Sequence, residues 1–338
     1  MRFRLVPFTN SLILATMVIL TVTGIYGLFW TLGGWVFDLH RISGWFLIGT
    51  IPWKAAISLR SLRRGLRPGF DRGVLIILSL LLASATALVI GLGFAWSWRL
   101  GPQELWLRQT AISWHWMLAL GLLAPFALHV WRRWPRPKKA DLLSRRAVLK
   151  FAGLGAVALA GWWSAEGLAA WREVLQSPRR YTGSRRAGVF SGNRFPITHS
   201  LAAGQIDLQA WRLVLEGAVS EPLSLTYEEL SALPFTEQAA TLDCTLGWYT
   251  VQNWRGVRLE DLFDRAGSLP KAFAVRLEAV TGYAHILPLP EARQVLLATH
   301  VGEEVLDHWH GFPLRAVVPT RRGWFWVKWV SRIELIGL

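Results

Sequence analysis

The sequence predicts a multi-domain protein, an all-α transmembrane helical bundle followed by an α+β domain, and three observations predict it. Of the 338 residues, 52% are hydrophobic, and the long apolar runs lie in the first half; an ordinary soluble domain carries a smaller share. Several of the 21 tryptophans, among them Trp30, Trp96, Trp98 and Trp131, stand near the ends of those runs, where an indole ring settles at a membrane–water interface. From about residue 187 the pattern changes to short β-like runs, such as Trp211–Gly217, Ala274–Val280 and Leu314–Pro319. Short helical pieces at Tyr227–Leu233 and Leu259–Ala266 alternate with them.

Crossing a bilayer takes about 20 apolar residues. Four runs meet that length: Phe8–Trp30, His40–Ser58, Gly73–Trp96 and Ile112–Trp131. A fifth, Val148–Ala170, follows a basic stretch. The loop from Arg60 to Arg72 carries five arginines against Asp71, and Arg132–Lys150 carries eight basic residues against Asp141. Residues 31–39 contain no Lys or Arg, and 97–111 contain only Arg99 and Arg108. The positive-inside bias then places the N-terminus and both basic loops in the cytoplasm. Residues 1–134 read as a four-helix transmembrane domain, 135–172 as a basic linker with the fifth transmembrane helix, and 173–338 as an extracytoplasmic domain. Arg172, Arg179, Arg180, Arg185 and Arg186 follow the fifth span, but large domains translocate largely regardless of charge. The formal charge of +15 therefore serves topology, which disfavours a nucleic-acid partner. A single cysteine, Cys244, excludes an internal disulfide.

Ser144-Arg-Arg-Ala-Val-Leu-Lys150 resembles the twin-arginine motif, with Val148 where that motif has Phe. The resemblance implies the twin-arginine export machinery as a partner and a bacterial envelope location. A plain basic anchor at a helix start is the simpler alternative, and an internal position is unusual for such a signal.

Histidine inside a membrane span is costly and points to function. His40 opens the second span, and His115 and His129 lie on the fourth. An axial histidine pair from facing helices is a common way to hold a b-type haem, so His40 and His115 are the expected iron ligands. His129 lies fourteen residues after His115, ~21 Å further along nearly the same helix face, and is a candidate for a second haem or a quinone site. The position fourteen residues after His40 is Lys54, where the diheme membrane cytochromes that this half resembles carry histidine. One haem is therefore expected, with Lys54 left for quinone binding, proton relay or snorkelling. Met117 is an alternative axial ligand, and simple packing the alternative role for either histidine of the fourth span.

In the second half, Asp243-Cys244-Thr-Leu-Gly-Trp-Tyr249 is followed by Asn253-Trp-Arg-Gly-Val257. Ser191-Gly-Asn-Arg-Phe-Pro-Ile-Thr198 precedes them, and Gly282-Tyr-Ala-His-Ile-Leu-Pro-Leu289 and His310-Gly-Phe-Pro-Leu-Arg315 follow, with Val327-Lys328-Trp329 near the end. These segments, in this order, resemble the sulfite oxidase family of molybdopterin enzymes. The resemblance implies an α+β molybdopterin domain in which the Cys244 thiolate binds molybdenum, a soft ligand for a thiophilic metal. It also implies pterin-contacting roles for Arg315 and Lys328, through charge-assisted bonds to the cofactor's phosphate, and for Asn193, His199 and His310. A buried structural cysteine and surface ion pairs are the simpler alternatives. His285, His300 and His308 carry no assignment. Sulfite-oxidising members have arginines soon after the metal cysteine; here Thr245–Thr250 are neutral and Arg255 is the first cation. That resembles the bacterial periplasmic reductase-like branch.

The combined expectation is a membrane-anchored molybdopterin-dependent oxidoreductase of a bacterial inner membrane. Electrons pass between the quinone pool, haem b and an extracytoplasmic molybdenum centre that reduces an S- or N-oxide-type substrate, either a small molecule or an oxidised protein. Membrane lipid is the remaining partner. The rivals are a sulfite-type dehydrogenase that donates electrons to the membrane, and an electron-transfer cytochrome whose second domain docks a partner without a cofactor.

Overall fold

A computed structural model describes residues 4–31, 33–65, 70–101, 104–134, 137–173, 179–188, 191–197 and 203–338. The chain divides into two compact units, one of Met1–Leu28 with Leu32–Gly183 and the other of Phe29–Thr31 with Ser184–Leu338.

The first unit is helical: α1 (Leu5–Phe29), α2 (Gly34–Gly65), α3 (Phe70–Ser97), α4 (Ala111–Gly121), α5 (Leu123–Arg133), α6 (Lys139–Leu143) and α7 (Arg145–Glu173). Among the described residues, five helical spans are long and apolar enough to cross a membrane, α4 and α5 together forming one of them. The break between α4 and α5 falls at Leu122. Pro125 follows three residues later and has no N–H to give the Gly121 carbonyl, so the helix is interrupted there. α3 packs on α4, and α7 packs along α2. The α2–α7 approach is close at Gly161, where a Cβ would come within 2.9 Å of the Trp45 ring. The fifth helix thus belongs to the same compact unit as the first four.

Among the described residues the second unit contains eleven strands: β1 (Arg185–Arg186), β2 (Leu213–Gly217), β3 (Leu223–Leu225), β4 (Thr236–Asp243), β5 (Trp248–Arg258), β6 (Ala272–Ala279), β7 (Ala284–Pro288), β8 (Leu296–Val301), β9 (Glu304–Val305), β10 (Arg315–Val317) and β11 (Val330–Gly337). Short helices α8 (Tyr227–Ser231), α9 (Leu259–Ala266) and α10 (Leu289–Ala292) lie between them. One sheet runs β1-β5-β8-β10, with β4 paired to β5 and β9 to β8; the other runs β3-β2-β11-β6-β7. Inward residues of both sheets, including Leu213, Leu215, Leu277, Leu297 and Ile333, share one core with Leu262 and Phe263 of α9. Alternating burial along β6, which pairs with β11 and β7, reflects the two-residue period of a strand.

Gly256 of the Asn253–Val257 motif has a structural reason. The register between β5 and β8 shifts between Arg255 and Gly256, and a Cβ at Gly256 would lie 2.0 Å from the Leu297 carbonyl oxygen. Only glycine lets the two backbones meet at this bulge. Gly256→Ala is expected to destabilise the second unit by about 3 kcal/mol, the range of a forced backbone shift in a packed core. A lowered melting temperature of the detergent-solubilised chain checks this, and an unchanged one refutes it.

Candidate active site

Cys244 sits in the turn joining β4 to β5. Its N–H donates to the Trp248 carbonyl (2.8 Å), and its own carbonyl accepts from Gly247 N–H (3.0 Å). Gly247 closes the turn at a φ of 90°, a conformation that suits glycine. The residue before the cysteine is equally constrained. Asp243 is fully buried, and its carboxylate accepts from the Ser184 hydroxyl (2.5 Å) and pairs with Arg322 at 3.2 Å. The Arg322 guanidinium also donates to the Cys244 carbonyl at 3.0 Å and the Asp243 carbonyl at 3.2 Å. Sequence reasoning missed this triad; its only sequence signal is a carboxylate placed directly before the thiol at the end of an apolar strand.

The thiol opens into a cleft of about 310 Å³, its mouth included, walled by Phe195, Pro196, Ile197, Leu242, Trp248 and Trp309. His310, Arg315, Lys328 and Gly323 complete the lining. Arg315 donates to the His310 carbonyl at 2.7 Å. Its guanidinium lies over the indoles of Trp254 (5.4 Å) and Trp326 (5.8 Å). Its Nε is buried without a hydrogen-bond partner among the described residues. Gly311 lets the two cationic side chains stand together, because a Cβ there would lie 3.1 Å from Arg315 Cβ and 3.3 Å from Lys328 Cβ. Lys328 donates to the Trp309 carbonyl at 3.0 Å and sits 4.4 Å over the Trp329 ring.

Burial sets the electrostatics. It pushes the Cys244 thiol up to about 11, against the opposing pull of the Leu246 N–H, Arg322 and Arg315. It pushes Arg315 down to about 10 and, with Arg315's repulsion added, Lys328 down to about 7. A cleft with a protonated thiol and two desolvated cations lacks negative charge. A metal would deprotonate the thiol outright, and an anionic group would restore both cations. The residues present therefore fit a phosphate-bearing cofactor whose soft metal takes one thiolate.

Two expected contacts are arranged differently. His310 faces the cleft, but its Nδ1 lies 2.8 Å from the Asp307 carboxylate and its Nε2 3.0 Å from the Phe195 carbonyl. Burial lowers its pKa, although two acceptors would suit a doubly protonated ring. With both nitrogens engaged, its service to the site is the carbonyl that holds Arg315. Asn193 is not among the cleft-lining residues. Its amide donates to Glu304 (3.1 Å) and to the Val305 carbonyl (2.8 Å), and its oxygen accepts from Asp307 N–H (3.1 Å). It steadies Asp307, which holds His310. His199 lies outside the described residues. Of the unassigned histidines, His285 stacks on Phe325 (4.4 Å) and bonds the Tyr283 hydroxyl (2.7 Å).

The first unit holds a second candidate site. The rings of His40 on α2 and His115 on α4 have centres 6.2 Å apart. His40 Nδ1 lies 2.9 Å from the Thr23 hydroxyl, and His115 Nδ1 lies 2.8 Å from the Val89 carbonyl. That carbonyl is reachable because Gly93, one turn on, has no side chain; a Cβ there would come within 3.2 Å of His115. His129 is on α5, beyond the break at Leu122, so the fourteen-residue repeat from His115 crosses an interruption. Lys54 donates to the Asn10 side chain of α1 at 3.1 Å.

A family model described as the oxidoreductase molybdopterin binding domain matches residues 199–337. The uncharacterized oxidoreductase YuiH of Bacillus subtilis (strain 168) is 35% identical over 147 residues, which are 41% of this chain and 73% of that protein. The protein-methionine-sulfoxide reductase catalytic subunit MsrP of Gluconobacter oxydans (strain 621H) is 29% identical over 244 residues, 60% of this chain and 75% of that one. Mitochondrial sulfite oxidase of Rattus norvegicus is 29% identical over 178 residues, 43% of this chain but 32% of the rat protein. The chain therefore belongs to the family of oxidoreductases built on a molybdopterin-binding domain, and it is an enzyme of that class.

Lys328 separates stability from function. Its folded pKa lies below the ordinary 10.5, so without cofactor the folded state binds fewer protons than the unfolded state between about pH 7 and 10. Stability of the cofactor-free chain therefore rises with pH across that window. Lys328→Met is expected to remove this rise and to raise the melting temperature of the cofactor-free chain at pH 7, while lowering the molybdenum retained by the loaded protein. A variant that melts lower and retains its metal would contradict the argument.

Proposed function

We propose that this is a membrane-anchored molybdopterin oxidoreductase that passes electrons between the quinone pool, a b-type haem and an extracytoplasmic molybdenum centre, reducing an S- or N-oxide-type substrate. The observation that carries the catalytic half is the buried thiol sharing a cleft with Arg315, whose Nε has no hydrogen-bond partner among the described residues. Bound there, the cofactor supplies two-electron, oxygen-atom chemistry. Cys244 supplies the thiolate, and the Asp243–Arg322–Ser184 network fixes the peptide from which it projects. Arg315 and Lys328 hold the cofactor's anionic end. The apolar and aromatic walls exclude water from the reacting centre and so strengthen each electrostatic contact in it.

The same walls favour a neutral, dipolar substrate. Among the described residues, Arg322 is the cation nearest the Cys244 backbone, and it is committed to Asp243 and two carbonyls. Arg315 and Lys328, in this reading, are taken up by the cofactor's anionic end. None of the three is poised for a dianion such as sulfite. The likeness to a methionine-sulfoxide reductase extends over more of the chain than the 199–337 domain, which also supports the reductase direction. The likeness to sulfite oxidase keeps a sulfite-type dehydrogenase as the second reading.

Geometry supports the haem. An imidazole nitrogen ligates a metal at ~2.0–2.1 Å, so rings centred 6.2 Å apart leave roughly the span of one metal ion between facing nitrogens. Among the described residues no group of three or more metal-ligating side chains gathers. A metal held by two histidines must bring its other ligands with it, as a porphyrin does. His129 and Lys54 remain candidates for quinone binding or proton relay. The basic loops support a location in a bacterial inner membrane with the catalytic unit periplasmic, and the twin-arginine-like segment Ser144–Lys150 supports its export by that route.

Metal and haem stoichiometry on detergent-purified protein tests the reading. About one molybdenum and one haem per chain are expected, with molybdenum lost and haem kept in Cys244→Ala. Haem without molybdenum in the wild type would reduce the second unit to a docking domain. Direction is read from the haem itself: a sulfoxide or N-oxide should reoxidise reduced haem, whereas reduction of ferric haem by sulfite would establish the dehydrogenase.

A further inference from the structure

We propose that Thr23 is a positioning residue that fixes the tautomer and donor strength of His40 as a haem ligand, a role that rests on the haem reading above. Thr23 is buried on α1. Its hydroxyl lies 2.7 Å from the Ile19 carbonyl one turn back, with the Leu20 carbonyl at 3.3 Å. A hydroxyl has one proton, and its shortest contact is the Ile19 carbonyl, so we assign that proton to Ile19 rather than to His40. Toward His40 Nδ1, 2.9 Å away, the Thr23 oxygen is therefore an acceptor. His40 must carry its hydrogen on Nδ1, which leaves the lone pair on Nε2. The same logic applies to His115. Its Nδ1 faces the Val89 carbonyl at 2.8 Å, so it too is an Nδ1–H tautomer with a free Nε2 lone pair.

Two neighbouring rings in this state present lone pairs and no proton to share between them. An electron-pair acceptor shared by the two rings would suit that arrangement, and second-partner bonds of this kind orient metal-bound imidazoles and raise their basicity. The two ligands are not held alike. His115 is fixed by a peptide carbonyl that no substitution of its own residue removes. His40 faces a side-chain hydroxyl as well as the Leu20 carbonyl, so Thr23 is the one of its partners that a substitution can remove. Clearance does not explain the His40 ring position, because a Cβ at neighbouring Gly24 would make only ordinary contact with it, at 3.5 Å.

Losing the acceptor makes His40 a weaker donor, which destabilises ferric more than ferrous iron, so the midpoint potential should rise. The test uses full-length, detergent-purified wild type, Thr23→Val and Thr23→Ser. Haem content, the redox-titration midpoint and the ferric low-temperature resonance spectrum are measured on each. Thr23→Val, which keeps the shape and lacks the hydroxyl, should shift the midpoint upward and alter the ferric spectrum, with Thr23→Ser close to wild type. Loss of haem from Thr23→Val alone would support the role equally. A Thr23→Val protein matching wild type in both readouts overturns it, as does equal haem loss from both variants, which would indicate packing. A wild type without haem fails the haem reading itself and takes this role with it.

Discussion

Uncompensated positive charge buried beside a single thiol is the constraint on which the catalytic unit depends. Burying a cation is costly unless something offsets the lost hydration. For Arg315 the offset comes from two indole faces and one carbonyl, and no carboxylate pairs with it among the described residues. Much of the neighbouring architecture follows from keeping it so. Trp254 and Trp326 are almost wholly buried against each other, 5.4 Å apart. His310 is tied by its own nitrogens so that its carbonyl stays aimed at Arg315. Asn193 and Asp307 brace His310 in turn. Among the described residues, the carboxylate that acts on the thiol is Asp243, and Arg322 pairs with it. Two desolvated cations beside the thiol suit an anionic group, and in the function proposed above cofactor binding and stability are coupled through the same residues.

That coupling also explains which parts were legible in the sequence. Cys244, Arg315 and Lys328 are chemically distinctive and lie in short segments of recognisable order, and the structure brings all three to one cleft. The strands around them followed from period-two runs and turn residues, so β2 and β10 lie within the runs expected of them and β6 overlaps its own, starting two residues earlier. The order of strands in the two sheets was not legible, because β2 pairs with β11 from the far end of the domain and local pattern carries no such information. Ser184, Asp243 and Arg322 escaped notice for the same reason. His310 and Asn193 were found as polar residues in the right segments. Their role was not readable, since a side chain's type does not reveal that its hydrogen-bonding capacity is already taken by Asp307, Phe195 or Glu304.

The helical unit shows the reverse case. Its spans were legible from length and apolarity alone, and His40 and His115 do approach each other. What periodicity could not supply was the backbone's part in the site. Gly93 exposes the Val89 carbonyl, and Thr23 turns a helical back-bond into a fixed acceptor; neither residue stands out from its apolar surroundings. Fourteen-residue spacing assumed an unbroken helix from His115 to His129, and Pro125 interrupts it.

One feature of α7 opposes its own helix. It begins Arg145-Arg146 with no acidic residue in its first turn, although the positive end of the helix dipole disfavours cations there. Ser144 softens this by accepting from the Ala147 N–H at 3.3 Å, but a carboxylate would serve the helix better than either arginine. Two cations at this helix start are what the twin-arginine-like segment proposed above would require, and the local cost to α7 accords with that topological role.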